Sequence, residues 1–178
     1  MLKNLPLEKV YQFIEPGPVV LLTTAAPEAP PDIMTMSWHM MMDFEPPLIA
    51  CVVSGGNHSF AALTKTKECV IAIPDIDLAE VTTAIGNCTG RTVDKFDKFH
   101  LTAAAGNEVA APLIAECFVN LECRVVDTRF VKKYNMFVLE CVAAWINPAK
   151  AKAKTIHHRG YGEFSVDGEI IKLKSKMR

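Results

Sequence analysis

Neither charge sign dominates this chain. Nineteen Lys and Arg stand against 20 Asp and Glu, for a formal net charge of -1. That balance lacks the basic excess of a nucleic-acid-binding protein. None of the six cysteines forms a C-x-x-C pair, so zinc-ribbon and thioredoxin-type sites are without their usual spacing. No apolar run is long enough to span a membrane. The N-terminus carries Pro6 and Glu8 and has no continuous apolar stretch of the signal-peptide kind. A reducing, cytoplasmic setting is the expectation, with no nucleic acid and no membrane as partner. There is no G-x-S-x-G elbow, and His157-His158 has no evident Ser or Cys partner, so these histidines are expected to be polar loop or interface residues. Regular β-α-β alternation is also missing, which argues against a doubly wound sheet. The only repetition is a doubled Asp-Lys-Phe at 94–99.

Hydrophobic substance is plentiful. Half of the 178 residues are hydrophobic and 22% are charged, enough for one domain, residues 1–178, with a sizeable core. The organising stretch is Asp32 to His39. As a strand it places Ile33, Thr35, Ser37 and His39 on one face and Met34, Met36, Trp38 and Met40 on the other. The first face is polar enough for a ligand, or simply wet; the second suits a core. A preceding strand at Val19–Thr24 joins it through a loop containing Pro27, Pro30 and Pro31.

Leu48–Val53 is apolar on both faces, as a buried strand should be, and runs into Ser54-Gly55-Gly56-Asn57-His58-Ser59. The two glycines free the backbone, and Asn57 is a suitable N-cap for a helix beginning near Phe60. The first N–H groups of that helix would attract an anion, with His58 and Ser59 beside them; a capped helix without ligand is the plainer alternative. Further on, 68–73 reads as a strand. Asp77 and Glu80 form a capping-box variant for a structural helix ending near Gly86. Lys95 and Arg91 either meet an anion or sit on a solvated turn whose Phe rings are buried. Residues 101–112 read as an irregular excursion. Residues 117–126 alternate as a strand with one wet face, and 134–146 form a longer strand apolar on both faces. The Asp167-Gly168 dipeptide predicts a hairpin turn within 166–171. The basic tail from Lys150 to Arg178 reads as a solvated edge, an acidic-partner contact, or a neighbour of an anionic cofactor. An antiparallel barrel with rim helices accommodates this order best.

The succession Ile33-Met34-Thr35-Met36-Ser37-Trp38, Pro46-Pro47-Leu48-Ile49, His58-Ser59, Gly90-Arg91 and Asp94-Lys95-Phe96, followed by two long strands, resembles the flavin reductase-like proteins, flavoredoxin among them. The resemblance runs from about Gly17 to Phe164. It implies a mainly β fold with peripheral helices, an FMN-binding split β-barrel of antiparallel, Greek-key-like order. It implies a homodimer with FMN near the interface, NADH or NADPH as electron donor, and a small-molecule or protein acceptor. A non-catalytic FMN carrier, store or sensor is the alternative. By the same resemblance Thr35, Met36, Ser37 and Trp38 lie along the flavin. Cys51, Val52, Val53 and Ser54 offer backbone groups to its ring. His58, Ser59 and Lys95 serve the phosphate end, Asn57 and Phe96 join them as cofactor-binding residues, and Phe164 covers the ring. The family often has Asn where this chain has Asp32; an acid there weakens binding of an anionic cofactor unless it points away. The loop at Lys132–Asn135 also lacks a His that some relatives carry.

Overall fold

The computed structural model describes residues 1–174; Lys176 and Arg178 of the basic tail lie outside the described residues. The chain starts with a two-residue strand β1 (Lys3–Asn4) and a short helix α1 (Tyr11–Ile14). Two hairpins follow, β2 (Val20–Ala26) with β3 (Ala29–Met36), and β4 (His39–Phe44) with β5 (Pro47–Val52). Helix α2 (His58–Thr66) leads to β6 (Glu68–Ile73), then α3 (Ala79–Gly86) and α4 (Lys95–Lys98). A small two-stranded unit, β7 (Ala103–Ala104) with β8 (Leu113–Ile114), precedes β9 (Val119–Asp127). The short helix α5 (Val131–Tyr134) separates β9 from β10 (Met136–Ile146), and β11 (Ile156–Gly160) pairs with β12 (Glu163–Val166).

The main sheet runs β3-β2-β6-β9-β10-β5-β4, with β1 added to β10. All of its pairings are antiparallel. The strands at its two ends, β3 and β4, are joined by Ser37 and Trp38 alone. Two residues of chain span roughly 10 Å at most. The sheet therefore curls until its ends are neighbours without pairing, which is the split barrel. Bulges where β10 passes β9, between Val138 and Leu139 and between Cys141 and Ala143, supply local bending.

Strands apolar on both faces have two cores to fill. Val20, Leu22, Ile71, Leu121, Phe137 and Leu139 pack inside the barrel. Leu21, Ile33, Ala72 and Ile114 point the other way, against Ile85 of α3, Phe96 of α4 and Leu101. Each such fully buried side chain contributes about 1.5–3 kcal/mol.

Four local expectations need correction. The strand predicted over 32–39 breaks at Ser37-Trp38, because the chain leaves one sheet end for the other. Met34 and Met36 do face the core, but Trp38 is 68% exposed and Met40 is exposed too. Asp77 does not cap α3; it lies in the preceding 3-10 turn, 3.4 Å from Lys150, which also pairs with buried Asp75 at 2.6 Å. The tail's first lysine is thus a structural clamp. The C-terminal hairpin turns at Gly160-Tyr161-Gly162, where all three residues have positive φ (105°, 50° and 80°), and not at Asp167-Gly168. Asp167 instead accepts from the Thr155 N–H and hydroxyl, both at 2.7 Å, and pairs with His157 at 2.9 Å. Burial pushes this carboxyl up, but those partners outweigh it and hold it below its ordinary value. Finally, β9 has no wet face at Asn120 and Glu122. Both are buried, because the 101–114 excursion folds back over them. Asn120 bonds both backbone groups of Ile114, at 2.8 and 3.0 Å. Glu122 accepts the N–H groups of Asn107, Glu108 and Val109 and the Trp145 indole N–H, all within 3.0 Å.

Candidate functional site

A groove follows the free edge of β3. In an antiparallel pair, alternate residues turn both backbone groups away from the partner strand. Ile33 is one of these, since its carbonyl accepts the Lys95 ammonium on the side opposite β2. Thr35 is the next. Three cavities open along this edge, and Thr35 borders all of them. A lobe of about 410 Å3 lies between β3, the start of α2 and the loop from Gly86 to Gly90. A second, of about 280 Å3, lies over Met34 to Trp38 and reaches Val52 and Ser54. A third, of about 310 Å3, lies between Thr35, Ser37 and α3 on one side and His158, Gly162 and Phe164 of the C-terminal hairpin on the other. Volumes of this order are typical of small-molecule sites.

The first lobe is built around a charge cluster. Asp32 is 6% exposed and Lys95 3% exposed; their Oδ1 and Nζ atoms are 3.3 Å apart. Ser59, also buried, donates its hydroxyl to Asp32 Oδ2 at 2.7 Å. Asp32 Oδ1 accepts no hydrogen bond. Gly90 roofs this carboxylate so closely that a Cβ there would lie 2.5 Å from Asp32 Cγ and 2.8 Å from His58 Cδ2. A close approach of this kind requires glycine. Asn57 begins α2 in extended conformation as expected, but its side chain makes no capping bond; it leans toward the Met34 sulfur, 4.0 Å away. The leading N–H groups of α2 are thus left without a side-chain acceptor beside the lobe.

The other residues expected at the site divide clearly. Thr35 donates its hydroxyl to the Thr82 carbonyl at 2.6 Å, which ties β3 to α3 and orients the groove floor. Ser37, Trp38 and Ser54 are exposed along it. Met36, Cys51 and Val53 send their side chains into the barrel core. Burial and the neighbouring Cys69 push the Cys51 thiol up, so it is a protonated filler and not a nucleophile. Two of the backbone N–H groups expected from this strand end are already committed: Val52 donates to the Trp38 carbonyl at 2.9 Å and Val53 to the Asn135 carbonyl at 3.0 Å. Phe96 is a correction. It packs beneath the sheet with Ile33 and Leu101 and borders none of the three lobes. Phe164 borders the third lobe, tilted against His158 with ring centroids 5.4 Å apart.

Several lining residues were not anticipated. Thr83 and Gly86 come from a helix read as purely structural, and Asn87, Cys88 and Thr89 from the loop after it. His158 was read as a loop residue and stands in the groove wall. Gly90, which follows Thr89 in the lining, belongs to the Gly90-Arg91 motif of the sequence. At the start of β4, His39 donates Nε2–H to the Pro18 carbonyl at 2.7 Å. Burial lowers its pKa, and the carbonyl only partly opposes this, so the ring is neutral at pH 7.

The uncharacterized protein YddH of Escherichia coli (strain K12) is 28% identical over 186 residues, covering 96% of this chain and 98% of its own. An FMN-binding domain of a flavin reductases-like enzyme from Shewanella baltica superposes with a TM-score of 0.89 at 20% identity, covering 98% of each chain. Flavoredoxin of Desulfovibrio vulgaris (Miyazaki F) gives 0.81 at 19% identity, covering 90% of this chain and 91% of its own. The flavin reductase like domain profile matches residues 14–165. With that match spanning most of its length, the chain belongs to the flavin reductase like domain family.

Proposed function

We propose that the groove along β3 binds FMN and that the protein is an oxidoreductase of the NAD(P)H:flavin type. The observation that carries this is the continuity of the three lobes around Thr35, with uncapped helix N–H groups at one end and an aromatic wall at the other. The glycine-roofed lobe suits the phosphate end, next to the α2 N-terminus. The lobes at Trp38 and Phe164 suit a planar ring. A bound flavin would supply hydride acceptance and its release as electrons to an acceptor.

The chain's own residues would then bind, orient and shield. Thr35 is fixed by Thr82, so its remaining lone pairs and its backbone groups face the ligand in a set direction. Ser37 and Ser54 offer exposed hydroxyls. The hairpin holding His158 and Phe164 limits water at the ring; it is fastened to the barrel by the Val19 N–H on the Ile156 carbonyl at 2.7 Å. No side chain in the groove needs to act as a nucleophile.

The proposed assembly is a homodimer. Among the described residues β4 ends the sheet with its outer edge unpaired, and Met40, Met42 and Phe44 are about half exposed beside a cavity of about 730 Å3. Among the described residues no helix is long and apolar enough to cross a membrane. All six cysteines are free, in keeping with the reducing cytoplasm proposed for it.

The test is spectral. The purified protein, incubated with FMN and gel-filtered, is expected to elute as a dimer, to carry a flavin absorption band and to bleach anaerobically with NADH or NADPH. A protein that retains no flavin refutes the reading. Retention without bleaching by either nucleotide would support a carrier, store or sensor instead.

A further inference from the structure

The phosphate lobe is electrically unusual for an anion site. Its lining contains one acid, Asp32, and one permanent cation, Lys95, and these neutralise each other at 3.3 Å. The polar groups that touch this pair are already engaged. The Lys95 ammonium also donates to the Ile33 carbonyl, and the Ser59 hydroxyl to Asp32 Oδ2 at 2.7 Å. Asp32 Oδ1 is buried, accepts no hydrogen bond and lies directly under the Gly90 roof. An incoming phosphate would therefore meet a carboxylate whose partners it cannot share without breaking existing contacts. The favourable part of the site for a dianion is centred on the backbone N–H groups at the start of α2, with the neutral polar side chains of Asn87 and Thr89 and the His58 ring beside them.

We infer that Asp32 is a specificity-determining residue: it offsets Lys95, so that the groove recognises a flavin chiefly by its ring and sugar-alcohol chain and prefers the nucleotide over the unphosphorylated flavin by no more than about thirtyfold. The inference rests on the groove being a flavin site. Asp32 acts through Lys95 and Ser59, as a positioning residue that withholds both from the ligand. Asparagine at this position would keep a carbonyl oxygen for Ser59 and release the cation toward the lobe.

Binding of FMN and of riboflavin to the flavin-free chain, followed by flavin fluorescence quenching, tests this directly. The wild-type chain is expected to bind FMN no more than about thirtyfold more tightly than riboflavin. In Asp32→Asn the preference for FMN should rise at least about tenfold, through tighter FMN binding and with riboflavin affinity nearly unchanged. A wild-type preference well above about thirtyfold, or an Asp32→Asn preference equal to that of wild type, overturns the inference. The wild-type ratio stands even if the variant folds poorly, which its melting curve would reveal. Failure of both flavins to bind would refute the flavin site itself, a result distinct from an unexpected ratio.

Discussion

Lys95→Ala should lower the stability of the fold by about 3–5 kcal/mol, whereas Lys98→Ala should change it by no more than about 0.5 kcal/mol. The two lysines occupy equivalent places in the doubled Asp-Lys-Phe, yet only Lys95 is buried against a carboxylate. Removing it leaves Asp32 in a nearly dry site with Ser59 as its sole hydrogen-bond donor. It also strips the Ile33 carbonyl of its partner on the open edge of β3. Lys98 is exposed and rests 5.4 Å from the Phe99 ring centre, a contact of small consequence. Urea unfolding of the two variants and the wild type measures the difference. FMN affinity should fall more in Lys95→Ala than in Lys98→Ala, because the unpaired acid then faces the ligand. Equal stabilities would show that the buried pair contributes nothing net. Combining Lys95→Met with Asp32→Asn should cost less than the sum of the single changes, the signature of coupling within one network.

Glu122→Ala should destabilise by a similar amount, about 3–5 kcal/mol, although it lies far along the chain from every groove residue. Three consecutive backbone N–H groups and an indole N–H converge on its carboxylate. Gly106 passes so close that a Cβ would lie 2.5 Å from that carboxylate, so the loop has no room to substitute another acceptor. Burial pushes the Glu122 carboxyl up, but the N–H groups of Asn107, Glu108 and Val109 and the Trp145 indole outweigh it and hold the pKa below the ordinary 4.5. A lowered folded pKa means that the carboxylate contributes its full stabilisation above the unfolded value and loses it as pH falls through the folded one. The stability gap between wild type and Glu122→Gln should accordingly be widest at neutral pH and should narrow below pH 4.5. Chemical unfolding at a series of pH values reads this out, and a gap independent of pH would mean that the charge is not what holds the loop.

Individual strands were legible in the sequence in some places and not in others, for identifiable reasons. β2, β5, β6 and β10 were legible because unbroken apolar runs bounded by Pro, Gly or polar clusters leave little other choice. α2 was legible from Gly55-Gly56-Asn57. Alternation says which residues share a face but not what will cover that face. Asn120 and Glu122 therefore looked wet until the 101–114 segment was seen lying on them. The break at Ser37-Trp38 was invisible for a related reason. Nothing local distinguishes a strand that continues from one that steps to the far end of a curled sheet. Asp32 was singled out as the residue most at odds with an anionic ligand, and it does sit in the groove. Its partners were not foreseen, since Ser59 and Lys95 had been assigned to the ligand itself. Pairings across 27 positions for Ser59 and 62 for the Ile33 carbonyl leave no trace in residue spacing.

The two-residue step between β3 and β4 also bears on how the protein comes to be made. The ends of the sheet lie side by side in the chain, but three of the strands that connect them around the barrel, β6, β9 and β10, emerge from the ribosome later. Until β9 and β10 are present, nothing holds β5 at a distance from β2, and closing such long loops is entropically costly and slow. The floor of the groove is thus synthesised early and remains shapeless until the last third of the polypeptide arrives to frame it. A ribosome-bound chain halted before β10 would have the Thr35 strand but no pocket. If the groove binds a flavin as proposed, loading is expected only in a nearly finished molecule, and the bound flavin would report completed folding.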